Sequence, residues 1–483
     1  MTSTTDGVRI PVPLGIDAET GRLLDGLDAY TASELALNCR DQSVSKSSLA
    51  AKADSEEAHF GVLGDVDPGD LSQSGWAVMF SSSADQSIHE ALQPLLDRRK
   101  DQTGGGNLFR IFEGPTGYQP GDSASAWLAR RNVRMDVVDP VLGVPFYVML
   151  VGPPDEIPFE FQYALDLYWA VGRLWFPTPD EFRKYAESIL RYEDMPAPST
   201  SRQMAVFAPR HDFDRATQMF SEDVASALAN GSAGPIGLRQ KFRLQTFIGD
   251  PATKDTLHRI WTGGIGGGTP ALLFSGGHGM SFRPDDPRQE QSQGALVTQD
   301  WTGYGRIQPD HIFAASDLSP NARVHGLVHF LFACYGGGCP RLDNFNRQDA
   351  VPKQIASRPL LARLPQALMA HPQGGALAVL AHVDRAWSYS FRSGKTPQTQ
   401  GFRDVLGRIM HGDRLGQATD QFNIRWAALS TELSEMLNQM QLGLQVDPRS
   451  LATQWVARDD ARNYVLFGDP SVRLRVEDMP PAA

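Results

Sequence analysis

The chain has 483 residues, with 45 Lys and Arg against 56 Asp and Glu, for a net charge of −11. That acidic balance argues against a nucleic-acid binder, whose phosphate partners need a basic footprint. Apolar content sufficient for a sizeable core, without the run of about 18 apolar residues that spans a bilayer, sets the disordered and membrane-spanning classes aside. The length predicts two or three domains.

Residues 1–60 read as a polar N-terminal extension with one helix over 31–39. Spacer, partner site and inhibitory peptide all stay open for it. Its opening residues lack the basic and apolar regions of a secretory signal. The cysteines number three, Cys39, Cys334 and Cys339, too few for a disulfide framework. Both observations lead to the expectation of a cytoplasmic protein in a reducing compartment. No Cys or His spacing suits zinc, so no metal and no cofactor are expected.

A first α/β unit is expected over 61–195. Strands are predicted at 75–81, 108–112 and 146–151. Ile88, Ala91, Leu92, Leu95 and Leu96 fall at helical spacing, with Pro94 expected to kink that helix. A short helix follows over 124–131. Thr178-Pro179-Asp180-Glu181 is a capping box with proline at the first helical position, ahead of a stripe of Phe182, Tyr185, Ala186, Ile189 and Leu190. The Pro- and Ser-rich stretch 193–201 marks a boundary. The second unit, 203–475, alternates strands at 204–207, 242–248, 271–275, 326–333, 375–381 and 464–467 with helices near 213–228, 253–261, 359–370, 402–410 and 422–442. Residues 476–483 are a tail. Strands alternating with helices predict a mostly parallel sheet.

Two of these strands carry the chemistry. One runs through Ala271, Leu272, Leu273, Phe274 and Ser275 into Gly276-Gly277-His278-Gly279. The other runs from Gly326 to Ala333 into Cys334-Tyr335-Gly336-Gly337-Gly338. Neither alternates polar and apolar residues, as expected of parallel strands covered on both faces. In open α/β sheets ligands bind at the carboxyl ends of the strands, where these two deliver a histidine and a cysteine. A free thiol has a pKa near ~8.5, so a neighbouring imidazole that takes its proton makes it a nucleophile. The amide N–H groups of Gly279 and Cys334 are candidate oxyanion donors, each worth ~3 kcal/mol of transition-state stabilisation. A lone cysteine at a strand end is usually core, and a lone histidine usually structural. The ordered pair is the specific signal. Thr262-Gly-Gly-Ile-Gly-Gly-Gly268 precedes a strand and lacks the Lys-Ser/Thr of a phosphate loop, so it reads as a connector.

The ordered pair resembles the caspase-fold cysteine peptidases: a strand ending in His-Gly, here His278-Gly279, and a later strand ending in Ala-Cys, here Ala333-Cys334. The resemblance leans to the gingipain-like and CHAT-like bacterial members and covers roughly 140–475, including the stretches 146–152, 170–174 and 463–470. It implies an α/β fold, a caspase-like three-layer sandwich with a mostly parallel central sheet. A second α/β subdomain of gingipain-like type precedes that sandwich. It implies a Cys334–His278 cysteine endopeptidase with Gly279 and Cys334 as the oxyanion hole. The loops after the first and fifth strands of the catalytic sheet would flank the primary specificity pocket. There Asp384, with Asp212 or Asp214, makes an acidic pocket for Arg or Lys, and Trp387 an aromatic wall. Asp212 as a helix N-cap and Asp384 paired with Arg385 are the structural alternatives. His325 and His329 read as structural, and His382 as a candidate for the cleft wall. The long polar loop 280–323 is expected to gate the cleft or to hold a site of activating self-cleavage. The expected partners are a protein or peptide substrate and, for the extension, a regulatory protein; nucleic acid and membrane are not expected. An inactive caspase-fold signalling module and another Cys-dependent acyl hydrolase are the rival readings.

Overall fold

A computed structural model describes residues 13–38, 44–54, 61–303, 305–348, 351–393 and 396–480. The strands that matter here are β1 (Gly15–Asp17), β2 (Trp76–Phe80), β3 (Phe109–Phe112), β4 (Tyr147–Val151), β5 (Ala170–Leu174), β6 (Ser201–Ala208), β7 (Arg243–Ile248), β8 (Pro270–Gly276), β9 (Gly279–Ser281), β10 (Val328–Phe332), β11 (Ala378–His382) and β12 (Tyr464–Gly468). All but β1 and β9 form one ten-stranded sheet, in the order β3-β2-β4-β5-β12-β11-β10-β8-β6-β7. Every neighbouring pair is parallel except β11–β12. The sheet is therefore two parallel blocks pointing opposite ways, meeting at that one antiparallel pair.

The central strands β2, β4, β5, β8, β10, β11 and β12 are buried at every position. This is the expected consequence of their uninterrupted apolar runs, since helices cover both faces. The two units share the sheet instead of standing apart. Phe467 of β12 pairs with Arg173 of β5. Asp469, just beyond β12, accepts from Trp76 Nε1 at 2.9 Å and from Arg99 Nε at 2.7 Å, both in the first unit.

Local chemistry explains most helix boundaries. The Thr178–Glu181 capping box forms as the sequence predicts, opening the helix Pro179–Asp194. The helix Gln86–Thr103 runs through Pro94 as one element, because its face of Leu92, Leu95 and Leu96 is buried against the sheet. That burial outweighs the hydrogen bond proline removes. The helical run expected near 213–228 starts at Arg215 behind an Asp214 N-cap and widens into a π-helical segment, Phe220–Ser226. The helices Phe159–Asp166 and Pro448–Arg462 were not legible in the pattern.

Two departures concern the site. The described part of the extension packs on both units: β1 pairs in parallel with β9, the helix Ala29–Asn38 lies against Pro448–Arg462, and Ser48 Oγ donates to the Met135 carbonyl of the first unit at 3.0 Å. The loop expected to gate the cleft or to hold a self-cleavage site carries a folded platform. Gly279–Ser281, Leu296–Val297 and Ile312–Phe313 join β1 in a four-stranded sheet over a cluster of Ile16, Met280, Val297, Trp301 and Ile307. Cys39 and residues 55–60 of the extension lie outside the described residues.

Candidate active site

β8 and β10 are neighbours, and Phe332 lies opposite Gly276. His278 and Cys334 each stand two residues beyond that register pair, so the sheet brings both to one lip. Gly279 is required there by close approach. A Cβ on it would fall 1.9 Å from the Cys334 carbonyl oxygen, which no side chain tolerates.

The imidazole is held from the far side. His278 Nε2 lies 2.6 Å from Asp214 Oδ2, and both side chains are buried. Asp214 sits beyond the carboxyl end of β6, the strand on the other flank of β8. It also caps its own helix, accepting from the Ala216 and Thr217 N–H groups. Burial alone would raise the Asp214 carboxyl. The charge of His278 and the hydrogen bonds from His278 and Thr217 outweigh burial and hold it well below the usual carboxylate range. The second ring nitrogen of His278, Nδ1, is buried without a hydrogen-bond partner. Beside it His211 packs against Phe213 and Trp301; burial and the charge of His278 push it down to about 4.

Cys334 is fully buried and its thiol is free. Sγ accepts from the Ala386 N–H at 3.2 Å. Burial pushes the thiol far above its ordinary range, against that N–H, which favours the thiolate. The two candidate oxyanion donors converge. Gly279 N–H and Cys334 N–H both donate, at 3.0 Å each, to one acceptor, the carbonyl oxygen of Leu14.

The four residues expected to form the specificity pocket each engage a different partner. Asp212 is 91% exposed and pairs with Arg210 instead of capping a helix. Asp214 is engaged with His278. Asp384 is buried in a left-handed conformation at φ 68° and contacts Asn344 and the Arg385 N–H. Burial and the neighbouring Asp343 push its carboxyl up. Trp387 is fully buried edge-to-face on Phe345, 5.1 Å between centroids. His382 is not a cleft wall: it is buried with Nε2 2.9 Å from the Asp460 carbonyl oxygen. His325 and His329 are structural, bonded to the Ser188 carbonyl at 3.0 Å and to Ser275 Oγ at 2.7 Å. Among the described residues no group of three or more His, Cys, Asp or Glu could hold a metal, and no helix is long and apolar enough to cross a membrane.

A thiol, a carboxylate-held imidazole and two converging amide N–H groups thus stand at the carboxyl ends of adjacent parallel strands of an α/β protein. The model of peptidase family C25 matches residues 145–475, and the chain belongs to that family, the gingipain family of cysteine-type endopeptidases. The Arg-specific cysteine proteinase gingipain R is similar over 84% of this chain and 79% of its own, at 13% identity and a TM-score of 0.44. A complex of the pro- and mature domains of RgpB from Porphyromonas gingivalis is similar over 83% and 80%, at 14% identity and a TM-score of 0.45. A third structure, described as a protease, is similar over 84% and 80%, at 13% identity and a TM-score of 0.49. No curated protein matches the chain.

Proposed function

We propose that Cys334 is the nucleophile of this endopeptidase and His278 its general base and acid. His278 assists ionisation of the thiol. The thiolate attacks the scissile carbonyl, and the imidazolium protonates the leaving amine. Water then hydrolyses the thioester. Asp214, expected from the sequence to line the specificity pocket, instead orients the imidazole through Nε2 and leaves Nδ1 for the thiol and the leaving group. The Gly279 and Cys334 N–H groups stabilise the oxyanion. One observation carries the reading: both N–H groups already grip a single peptide carbonyl beside the thiol, at 3.0 Å each. A protein or peptide substrate and a reducing, cytoplasmic setting complete the proposal.

The expected preference for Arg or Lys is without its acidic pair, because Asp212, Asp214 and Asp384 engage separate partners. The test is a peptide library with wild type, Cys334→Ala and His278→Ala. Each variant is expected to lose roughly a thousandfold or more in kcat/KM with an unchanged melting profile. Wild-type turnover by either variant overturns the assignment.

A further inference from the structure

The carbonyl held between Gly279 and Cys334 belongs to the chain itself, and the main chain on either side of it is paired as a bound substrate's would be. Before it, Pro13 bridges antiparallel to Trp387, and the Leu14 N–H donates to the Ala386 carbonyl at 2.9 Å. After it, Gly15, Ile16 and Asp17 run parallel to Gly279, Met280 and Ser281. The strand thus crosses the lip of the sheet directly over the thiol. Gly15 lies so close that a Cβ on it would meet Cys334 Sγ at 3.0 Å and Leu24 Cδ1 at 2.5 Å. The Leu14 side chain is fully buried and belongs to the main apolar core.

We propose that the segment Pro13–Asp17 is a tethered occupant of the substrate groove, and that Leu14 marks a primary specificity position built for a leucine-sized apolar side chain. The inference rests on the peptidase reading above. The direction of specificity follows from chemistry. Sinking a Lys or Arg head group where Leu14 is buried needs a carboxylate, and the three acids expected to supply one are engaged elsewhere. The main-chain bonds fix the register, because the oxygen of Leu14 sits between the two oxyanion donors.

The test uses the full chain, with Gly15→Val, whose side chain collides with Cys334 and Leu24, and Leu14→Asp, whose charge cannot stay buried unpaired. Mass spectrometry follows iodoacetamide labelling at Cys334, and thermal melting reports the fold. Both variants are expected to label roughly tenfold or more faster than wild type. Equal labelling in wild type and in a folded variant overturns the occupancy. In wild type the amides of residues 14–17 are expected to exchange slowly with deuterium, and fast exchange there also overturns it. Peptides differing only before the scissile bond, with Leu, Arg, Lys or Asp, are then given to the Gly15→Val protein. Leu is expected to turn over fastest, and a preference for Arg or Lys overturns the leucine assignment. Fast labelling without turnover of any peptide supports the occupancy and refutes the peptidase reading instead.

Discussion

Replacing Asp214 by asparagine separates the two jobs of that carboxylate. It caps the helix beginning at Arg215 through the Ala216 and Thr217 N–H groups, and it holds His278 at 2.6 Å. Asparagine caps a helix about as well as aspartate, whereas alanine does not, at a cost of ~1 kcal/mol. Both variants lose the charge-assisted bond to His278, about 1.5–3 kcal/mol. The expected stability loss is therefore about 2 kcal/mol for Asp214→Asn and about 3 for Asp214→Ala, read from urea denaturation. Turnover should not follow that order. An imidazole without its carboxylate orients poorly and stabilises its charged form poorly, which costs on the order of 10²–10⁴ in kcat. That corresponds to about 3–5 kcal/mol of barrier, the same for both variants because both remove the same charge. Peptide hydrolysis at pH 7 measures it. If Asp214→Asn keeps kcat within about threefold of wild type, Asp214 is a helix cap that happens to touch a histidine, and the proposed role for it fails. The pH dependence supplies a second sign. A carboxyl held below its unfolded value stabilises the fold fully above about pH 4 and loses that contribution as pH falls through its folded pKa. Asp214→Asn should therefore flatten the acid limb of the stability curve.

Gly279→Ala should abolish turnover, since its methyl would displace the Cys334 carbonyl and with it the oxyanion donors; kcat near wild type would show that this backbone is free to move. Arg99→Met should cost about 3–5 kcal/mol in chemical denaturation, because it leaves Asp469 buried without the cation that holds its carboxyl down. A loss below about 1 kcal/mol would show that Trp76 and Ser471 suffice for Asp469. Burial pushes His329 down to about 3, and burial with the charge of His278 pushes His211 down to about 4, so both bind a proton more readily in the unfolded chain. Their neutral forms are fully compatible with the fold above about pH 6.5, and stability should fall as pH drops below that value. A urea midpoint constant from pH 6.5 to 4.5 would contradict this.

The strands that carry His278 and Cys334 were legible because fully buried parallel strands are written as unbroken apolar runs ended by glycine. The capping box at Thr178 was legible because its signals are local. What the sequence hid was long-range. Asp214 was visible as a loop carboxylate, but nothing local says that β6 and β8 become neighbours and turn it toward His278. The same blindness covers Leu14. Pro13-Leu14-Gly15-Ile16-Asp17 is a short apolar patch in a polar leader, and only pairing with β9, over 250 residues away in sequence, gives it a place. Helix Pro448–Arg462 escaped because Arg458, Asp459 and Asp460 are buried in it alongside Trp455 and Val456. Charged residues inside a core defeat a search for an apolar stripe.

The occupied groove has an energetic consequence. Two amide N–H groups pointing at nothing would be costly beside a buried thiol, and the Leu14 carbonyl satisfies both. A substrate must supply the same two hydrogen bonds, so the main-chain part of the exchange is close to neutral. The outcome is then set by side-chain fit and by concentration. A tethered segment competes at an effective concentration on the order of millimolar. A free peptide at ~10 μM that fits no better would hold the groove about one time in a hundred. Turnover in the resting protein should therefore rise with substrate concentration far beyond the affinity that the freed groove shows in Gly15→Val. The two proteins should converge in kcat while differing in KM. Equal KM values in wild type and Gly15→Val would mean that the segment leaves the groove without resistance, and that its bonds to Gly279, Cys334 and Ala386 contribute nothing to latency.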